Sequence, residues 1–234
     1  MTASLTDHNR DADLGAARER MLALLSARVR DERVIAAMAS VPRERFVPGH
    51  LRPRAYDDNA LPIGEGQTIS QPLIVALMTE ALALRSGDRV LEVGTGSGYQ
   101  AAVLSHIARE VVSVERLPRL REHAQRLLAA LSYANVHVCA AGEMLGLAGR
   151  GPYDAVVVTA AAPHVPRVLL DQLRPGGRLV VPVGGLRGQD LLRAVTTARG
   201  VELTRLEACG FVPLIGRGGW PEASPSDAAR SPKV

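Results

Sequence analysis

Three glycines at alternate positions, Gly94, Gly96 and Gly98, interrupt the stretch VLEVGTGSGYQAAVL. Lacking a Cβ, glycine lets a backbone turn sharply, approach a ligand closely and aim N–H groups at it. Several known ligand loops fail on spacing. A nicotinamide-dinucleotide fingerprint, G-x-G-x-x-G, needs glycine at position 99, where Tyr99 stands. A nucleophile elbow, G-x-S-x-G, fails because Ser97 has Thr95 and Tyr99 two residues to either side. No Gly-Lys-Ser/Thr follows to make a P-loop. What remains is a glycine loop with one carboxylate, Glu92, just ahead of it. A second, Glu115, ends the next apolar run, EVVSVER, where an acid can accept bonds from both hydroxyls of a ribose.

A second candidate cluster lies upstream, in LPIGEGQTISQPLIV (residues 61–75), where Thr68, Ser70 and Gln71 run into Pro72. Proline suits the first position of a helix, because its missing N–H would be unpaired there. Ser70 thus sits at a helix entrance, where a serine oxygen commonly caps free backbone N–H groups. Its hydroxyl serves either as that cap or as a contact to a ligand, and the local residues leave both roles open.

The elements around these clusters follow from periodicity. Helical spacing over residues 14–40 predicts two short helices, and the Pro- and Gly-rich residues 41–68 read as an ordered loop region. From residue 88 onward, DRVLEVG, EVVSVER, NVHVCA, YDAVVVTAA and GGRLVVPVG alternate with the helical patterns YQAAVLSHIA, PRLREHAQRLLAALS and VPRVLLDQL. That alternation predicts a parallel, doubly wound sheet with helices on both faces. Two period-2 runs joined at Arg199-Gly200 predict a closing antiparallel hairpin. The expected organisation is one domain over residues 1–220, with helices and a substrate loop over about 14–72 and the ligand-binding sheet over about 88–220. The Pro/Ser/Ala-rich residues 221–234 are expected to be disordered.

Composition narrows the function classes. The formal charge is +4, but arginines are scattered among Asp and Glu, and only 3% of residues are aromatic. That leaves little for base stacking, so nucleic acid is not expected as a partner. No apolar run approaches a membrane span, and the polar, acidic N-terminus is unlike a signal peptide. Cys139 and Cys209 are far apart, and the histidines show no metal-ligand spacing, so reduced thiols, no metal and a cytoplasmic location are expected. His50, His164 and Trp220 read as structural or surface residues.

With these residues in place, two resemblances emerge. Glu92 followed by G-x-G-x-G resembles the pattern of S-adenosylmethionine-dependent methyltransferases. More specifically, VPRERFVP, AYDDNALPIGEGQTISQP, LEVGTGSGYQAAVL, VERLPRL, YDAVVVTAAAPHVP, LRPGGRLVVPVG and FVPLIG, in this order over about residues 34–220, resemble the protein-L-isoaspartate O-methyltransferases. The resemblance implies the Rossmann-like fold of class I methyltransferases. It also implies methyl transfer from S-adenosyl-L-methionine to the free carboxylate of isoaspartyl residues in damaged proteins and peptides; separately, a monomer is expected. Ser70, the serine of T-I-S, takes the active-site role on this resemblance, with Thr68 and Gln71 as neighbours. The implied cofactor contacts are Thr68, Ser70, Gln71, Glu92, Gly94, Thr95, Gly96, Ser97, Gly98, Glu115, Arg116, Gly142, Glu143 and Thr159. On this pattern an acidic group would meet the cofactor's ammonium, and loop N–H groups its carboxylate.

The chain departs from the family at one place. After the third strand the family usually has Gly-Asp-Gly, with its acid near the adenine. Here the stretch is AAGEMLG, so Gly142 takes the acid's position and Glu143 follows it. Two other readings compete: a relative that esterifies a genuine aspartate in one dedicated precursor peptide, and a non-catalytic binding module. The second is expected to lose the glycines, Glu115 or Ser70, all of which are present.

Overall fold

The computed structural model describes residues 5–222, with side chains from residue 13. Helices α1 (Leu5–Ser26) and α2 (Glu32–Ser40) come first. Asp31 caps α2, its side chain accepting from the Arg33 N–H. The region read as loop then contains more structure than expected. Two 3₁₀ turns (Arg43–Arg45 and Gly49–Arg54) are followed by an antiparallel hairpin of β1 (Leu61–Gly64) and β2 (Gln67–Ile69). Its turn, Gly64-Glu65-Gly66, has positive φ at all three residues. Two glycines supply that geometry, which is why a short strand pair forms where no long hydrophobic period exists. Helix α3 (Pro72–Ala81) begins at Pro72, as the sequence predicts.

The main sheet has seven strands in the order β5-β4-β3-β6-β7-β8-β9. They are β3 (Arg89–Val93), β4 (Glu110–Glu115), β5 (Val136–Ala140), β6 (Tyr153–Val158), β7 (Leu173–Gly185), β8 (Gly188–Thr197) and β9 (Gly200–Cys209). β3 to β7 pair in parallel, while β7, β8 and β9 run antiparallel. The expected closing hairpin is therefore β8–β9. The VPRVLLDQL segment is helical only over Arg167–Leu170 (α6), after which β7 starts earlier than its apolar run.

Strand alternation divides the core in two. Val90, Val111, Ala155, Val157 and Val180 face α1 to α3, α4 (Tyr99–Ser105) and α5 (Pro118–Ala130). Leu91, Val93, Val112, Val114, Val156, Val158 and Leu179 face the opposite way, against Leu145, Leu169 and Leu214. This second face is covered by the short α6 and by irregular segments, because long helices are concentrated on the first. All these strand residues are essentially inaccessible to water, as near-continuous Val/Leu runs in a parallel sheet require.

The strand order reverses beside β3: the chain runs outward through β4 and β5, then returns to pair β6 on the other side of β3. No crossover covers the carboxyl ends of the strands at such a switch, and a crevice opens there. The glycine loop between β3 and α4 lies at this point. Gly94, Gly96 and Gly98 all have positive φ. Gly98 closes the turn at φ 88, and a Cβ there would stand 3.1 Å from Leu128 Cδ1 on α5. Gly98 therefore serves the turn and the packing of α4 against α5. Gly98→Ala is expected to lower stability by about 1–3 kcal/mol, the usual cost of a strained backbone position. Urea denaturation checks this, and an unchanged midpoint would show that the turn relaxes without cost.

Candidate cofactor and active site

The crevice at the switch point holds a cavity lined by several segments. The glycine loop contributes Gly94, Thr95, Gly96 and Ser97. The end of β4 contributes Glu115 and Arg116, the β2–α3 segment Thr68 and Ser70, and the segment after β5 Gly142. Thr159 closes the floor at the end of β6, its hydroxyl donating to the Gly94 carbonyl at 2.5 Å. The structure thus brings together most of the residues singled out in the sequence. Gln71 lines a smaller adjoining cavity shared with Thr68, Ser70 and Thr159. Glu92, Gly98 and Glu143 do not line the main cavity.

Glu115 is 6% exposed, and its two oxygens do different work. Oε2 accepts the Gly96 N–H at 2.9 Å, and Oε1 accepts the Leu117 N–H at 2.9 Å. One carboxylate thereby fixes the glycine loop and the start of α5. Each oxygen keeps a further lone pair for a ligand hydroxyl in the cavity.

The glycine loop itself differs from the expected nest of free donors. The Gly94 and Thr95 N–H groups donate to Val114 O, that of Gly96 to Glu115, and that of Gly98 to Thr95 O. Those donors are spent on shaping the loop. The glycines allow the sharp path and the close approach; they do not leave a row of open amides.

Glu92 also stands differently from expectation. It is 0% exposed, in the sheet behind the loop, where it accepts a short hydrogen bond from the Ser113 hydroxyl. Ser113 in turn lies 2.5 Å from the Thr95 hydroxyl, so a three-member chain links the buried carboxyl to the cavity wall. The other Glu92 oxygen has no partner among the described residues. Burial pushes its pKa up to about 8, against the Ser113 bond and with a further push from nearby Glu115. Glu92 therefore reaches the cavity through Thr95 and not by direct contact.

On the far wall, Glu143 is exposed and is not part of the lining, while Gly142 takes part in it. No atom lies within 4 Å of where a Gly142 Cβ would be, so the place of the family's acid is open space. Buried Gln172 braces this segment by accepting from Leu147 N–H and donating to Leu145 O.

The Ser70 question has a structural answer. No side chain of the helix's own cap position bonds the first turn of α3. Asp58 does so from thirteen to fifteen residues upstream, accepting Leu73 N–H through Oδ1 at 2.9 Å and Gln71 Nε2 through Oδ2 at 2.9 Å. Ser70 makes no side-chain hydrogen bond among the described residues, and its hydroxyl is free to face the cavity. Sequence reasoning missed Asp58, which sits in AYDDN with no helix of its own to cap. It also gave no role to Val212–Ile215, whose apolar FVPLIG run was the available signal. These residues form a further wall, held to the segment just after β6 by Ala161 N–H to Val212 O and Leu214 N–H to Ala161 O, both 2.8 Å.

Among the described residues no group of three or more His, Cys, Asp or Glu is arranged to hold a metal ion, and no helix is long and apolar enough to cross a membrane. Cys139 and Cys209 are unpaired.

Comparison with known proteins matches this geometry to one family. Residues 17–219 fit the family model of protein-L-isoaspartate(D-aspartate) O-methyltransferase. A protein-L-isoaspartate O-methyltransferase of Methanoculleus marisnigri is 55% identical over 196 residues, covering 83% of this chain and 89% of the relative. A Rhodopseudomonas palustris enzyme of that name is 52% identical, covering 93% and 90%. A solved protein-L-isoaspartate O-methyltransferase superposes with a TM-score of 0.76 at 31% identity, over 86% of this chain and 67% of its own. A Plasmodium falciparum structure of the same family name, in complex with S-adenosyl-L-homocysteine, gives 0.71 at 25% identity, over 83% and 96%. The chain belongs to the protein-L-isoaspartate (D-aspartate) O-methyltransferase family.

Proposed function

We propose that this chain repairs damaged proteins and peptides by methylating the free carboxylate of their L-isoaspartyl residues, with S-adenosyl-L-methionine as donor. One observation carries the reading: Ser70, whose hydroxyl has no hydrogen-bond partner among the described residues, lines the same cavity as the glycine loop and Glu115. The reading includes a monomer working in the cytoplasm that binds neither nucleic acid nor membrane; the scatter of its charges supports the exclusion of nucleic acid.

The residues fit this cofactor. Glu115 offers spare lone pairs for ribose hydroxyls, and Thr95 carries the influence of buried Glu92 to the cavity wall. The Val212–Ile215 wall and Leu145 are apolar surfaces suited to a flat ring. S-adenosyl-L-methionine, when bound, supplies an electrophilic methyl group on a sulfonium sulfur.

The protein's own task is placement. A substrate carboxylate is already ionised at pH 7, so no general base is needed. The Ser70 hydroxyl donates one hydrogen bond that fixes the carboxylate's orientation without adding charge. An anion meeting a sulfonium loses charge on reaction, so a dry, weakly polar lining favours the transition state. A cation bonded directly to the carboxylate would stabilise the reactant more. Once formed, the methyl ester is attacked by the following backbone nitrogen, methanol leaves, and the resulting succinimide hydrolyses partly to normal aspartate.

Glu115→Ala is expected to weaken cofactor binding by about 2–3 kcal/mol, the scale of lost charge-assisted hydrogen bonds. Glu143→Ala is expected to leave affinity unchanged, since its side chain is outside the lining. Calorimetric titration with S-adenosyl-L-homocysteine reads both, and equal affinities for wild type and Glu115→Ala would remove Glu115 from the site.

Ser70→Ala should reduce turnover by roughly 10²-fold, the value of one donor in a water-excluded site. Its melting temperature should hold, because Asp58 supplies the cap. A lower melting temperature with full turnover per folded molecule would make Ser70 a cap after all.

Selectivity tests the function itself. An isoaspartyl linkage adds a methylene to the main chain and leaves the α-carboxylate beside the backbone. A normal aspartate held by the same flanking amides carries its carboxylate a methylene away, and about 1 Å of misplacement costs on the order of 10²-fold in rate. Methyl transfer to paired synthetic peptides should therefore favour isoAsp over Asp by at least roughly that factor, across unrelated sequences. Esterification of Asp in one particular sequence, with isoAsp ignored, would replace repair by tailoring of a dedicated peptide.

A further inference from the structure

Arg43 is 0% exposed, yet no carboxylate pairs with it among the described residues. Its Nε donates to the Ala55 carbonyl at 2.7 Å, and its Nη2 donates to the Ser70 carbonyl at 2.7 Å. Its Cζ lies 4.7 Å from the centroid of the Tyr99 ring, and Nη1 has no hydrogen-bond partner. Burying a cation against two carbonyls and a ring is an expensive way to fill a core, and an apolar side chain of similar volume would avoid the desolvation. The position of the guanidinium shows what the charge achieves.

Its three contacts belong to three parts of the site. Ala55 follows the second 3₁₀ turn, Ser70 carries the free hydroxyl, and Tyr99 is the first residue of α4, directly after the glycine loop. A guanidinium is a planar fork whose donors diverge at fixed angles, so two bonds and a stacked ring define its orientation completely. The Ser70 peptide is thereby set at a fixed distance from the start of α4. On the other side of that peptide, Asp58 holds Gln71 Nε2 and the Leu73 N–H. Ser70 is held through its carbonyl by Arg43, the residues after it are held by Asp58, and its hydroxyl makes no hydrogen bond among the described residues.

We propose that Arg43 is a positioning residue for methyl transfer: its buried fork registers the Ser70 hydroxyl against the glycine loop, so that the acceptor carboxylate and the donor methyl meet in line. It touches neither reactant. This also reconciles a buried positive charge with a reaction that disfavours a cation on the carboxylate, because the charge is spent on the backbone carbonyl of the residue that carries the hydroxyl. The inference rests on the reaction proposed above.

A double-mutant cycle tests it. Arg43→Met keeps the volume without the charge, and Arg43→Lys keeps the charge without the fork. Both should lower kcat for isoAsp-peptide methylation by roughly 10-fold or more, with the affinity for S-adenosyl-L-homocysteine within about twofold of wild type. In a Ser70→Ala background, Arg43→Met should cost less than about twofold more, since the two act as one unit. Independently of activity, Arg43→Met should speed amide hydrogen exchange over residues 68–73 while β3 and β4 keep their protection. Multiplicative losses in the cycle, full rescue by lysine, or unchanged exchange at 68–73 would each overturn the role of Arg43. Wild-type protein that fails to methylate isoAsp peptides would instead sink the proposed reaction, and the exchange comparison would still decide whether Arg43 registers Ser70.

Discussion

The carboxylate of Glu115 closes the end of β4, and the two backbone N–H groups it accepts tie together the parts that make the site. Through Gly96 it bends the glycine loop back over the strand from which the loop departs; through Leu117 it begins α5. The loop could not follow this path with side chains, since three of its residues have positive φ. Nor could the carboxylate reach both amides if β3 and β4 were not adjacent and parallel, with Glu92 beside Ser113 in the register. Sheet order, glycine placement and one acid are therefore a single constraint, and the cavity is its consequence.

Around that constraint the protein buries polar groups that a core of this size would normally exclude. Glu92, Ser113 and Thr95 form one chain, and Arg43 stands alone against carbonyls and Tyr99. Buried polarity of this kind gives up stability for fixed geometry. Both groups lie on the helix-rich face of the sheet and both end at the cavity wall, one at Thr95 and the other at Ser70. Two walls that must meet within a fraction of an ångström are each set by an interaction too costly to be incidental.

Much of this was legible in the residues. The strand–helix alternation from residue 88 gave the sheet, and Gly94, Gly96, Gly98 and Glu115 gave the position of the crevice, because their meaning depends on local backbone geometry and strand ends. The T-I-S segment became informative only through its family resemblance. What the sequence concealed depends on contacts between distant residues. Asp58 caps a helix that starts fourteen residues later, Arg43 reaches Ser70 across twenty-seven positions, and the loop amides are consumed by strand β4. The β1–β2 hairpin was hidden for a different reason: its strands are four and three residues long, too short to display a period. The direct contact expected of Glu92 failed because side chains alternate along a strand, and this one faces the helix-covered core.

The central claim is that one cavity presents a donor methyl and an acceptor carboxylate to each other, with the Ser70 hydroxyl as the donor to the carboxylate. A crystal structure of the chain with S-adenosyl-L-homocysteine and an isoaspartyl peptide reads this directly. The expected result is a peptide carboxylate oxygen within hydrogen-bond distance of Ser70 Oγ and facing the cofactor sulfur, with the ribose on Glu115. A complex in which Ser70 turns to cap α3 and the carboxylate is held by other residues would contradict it.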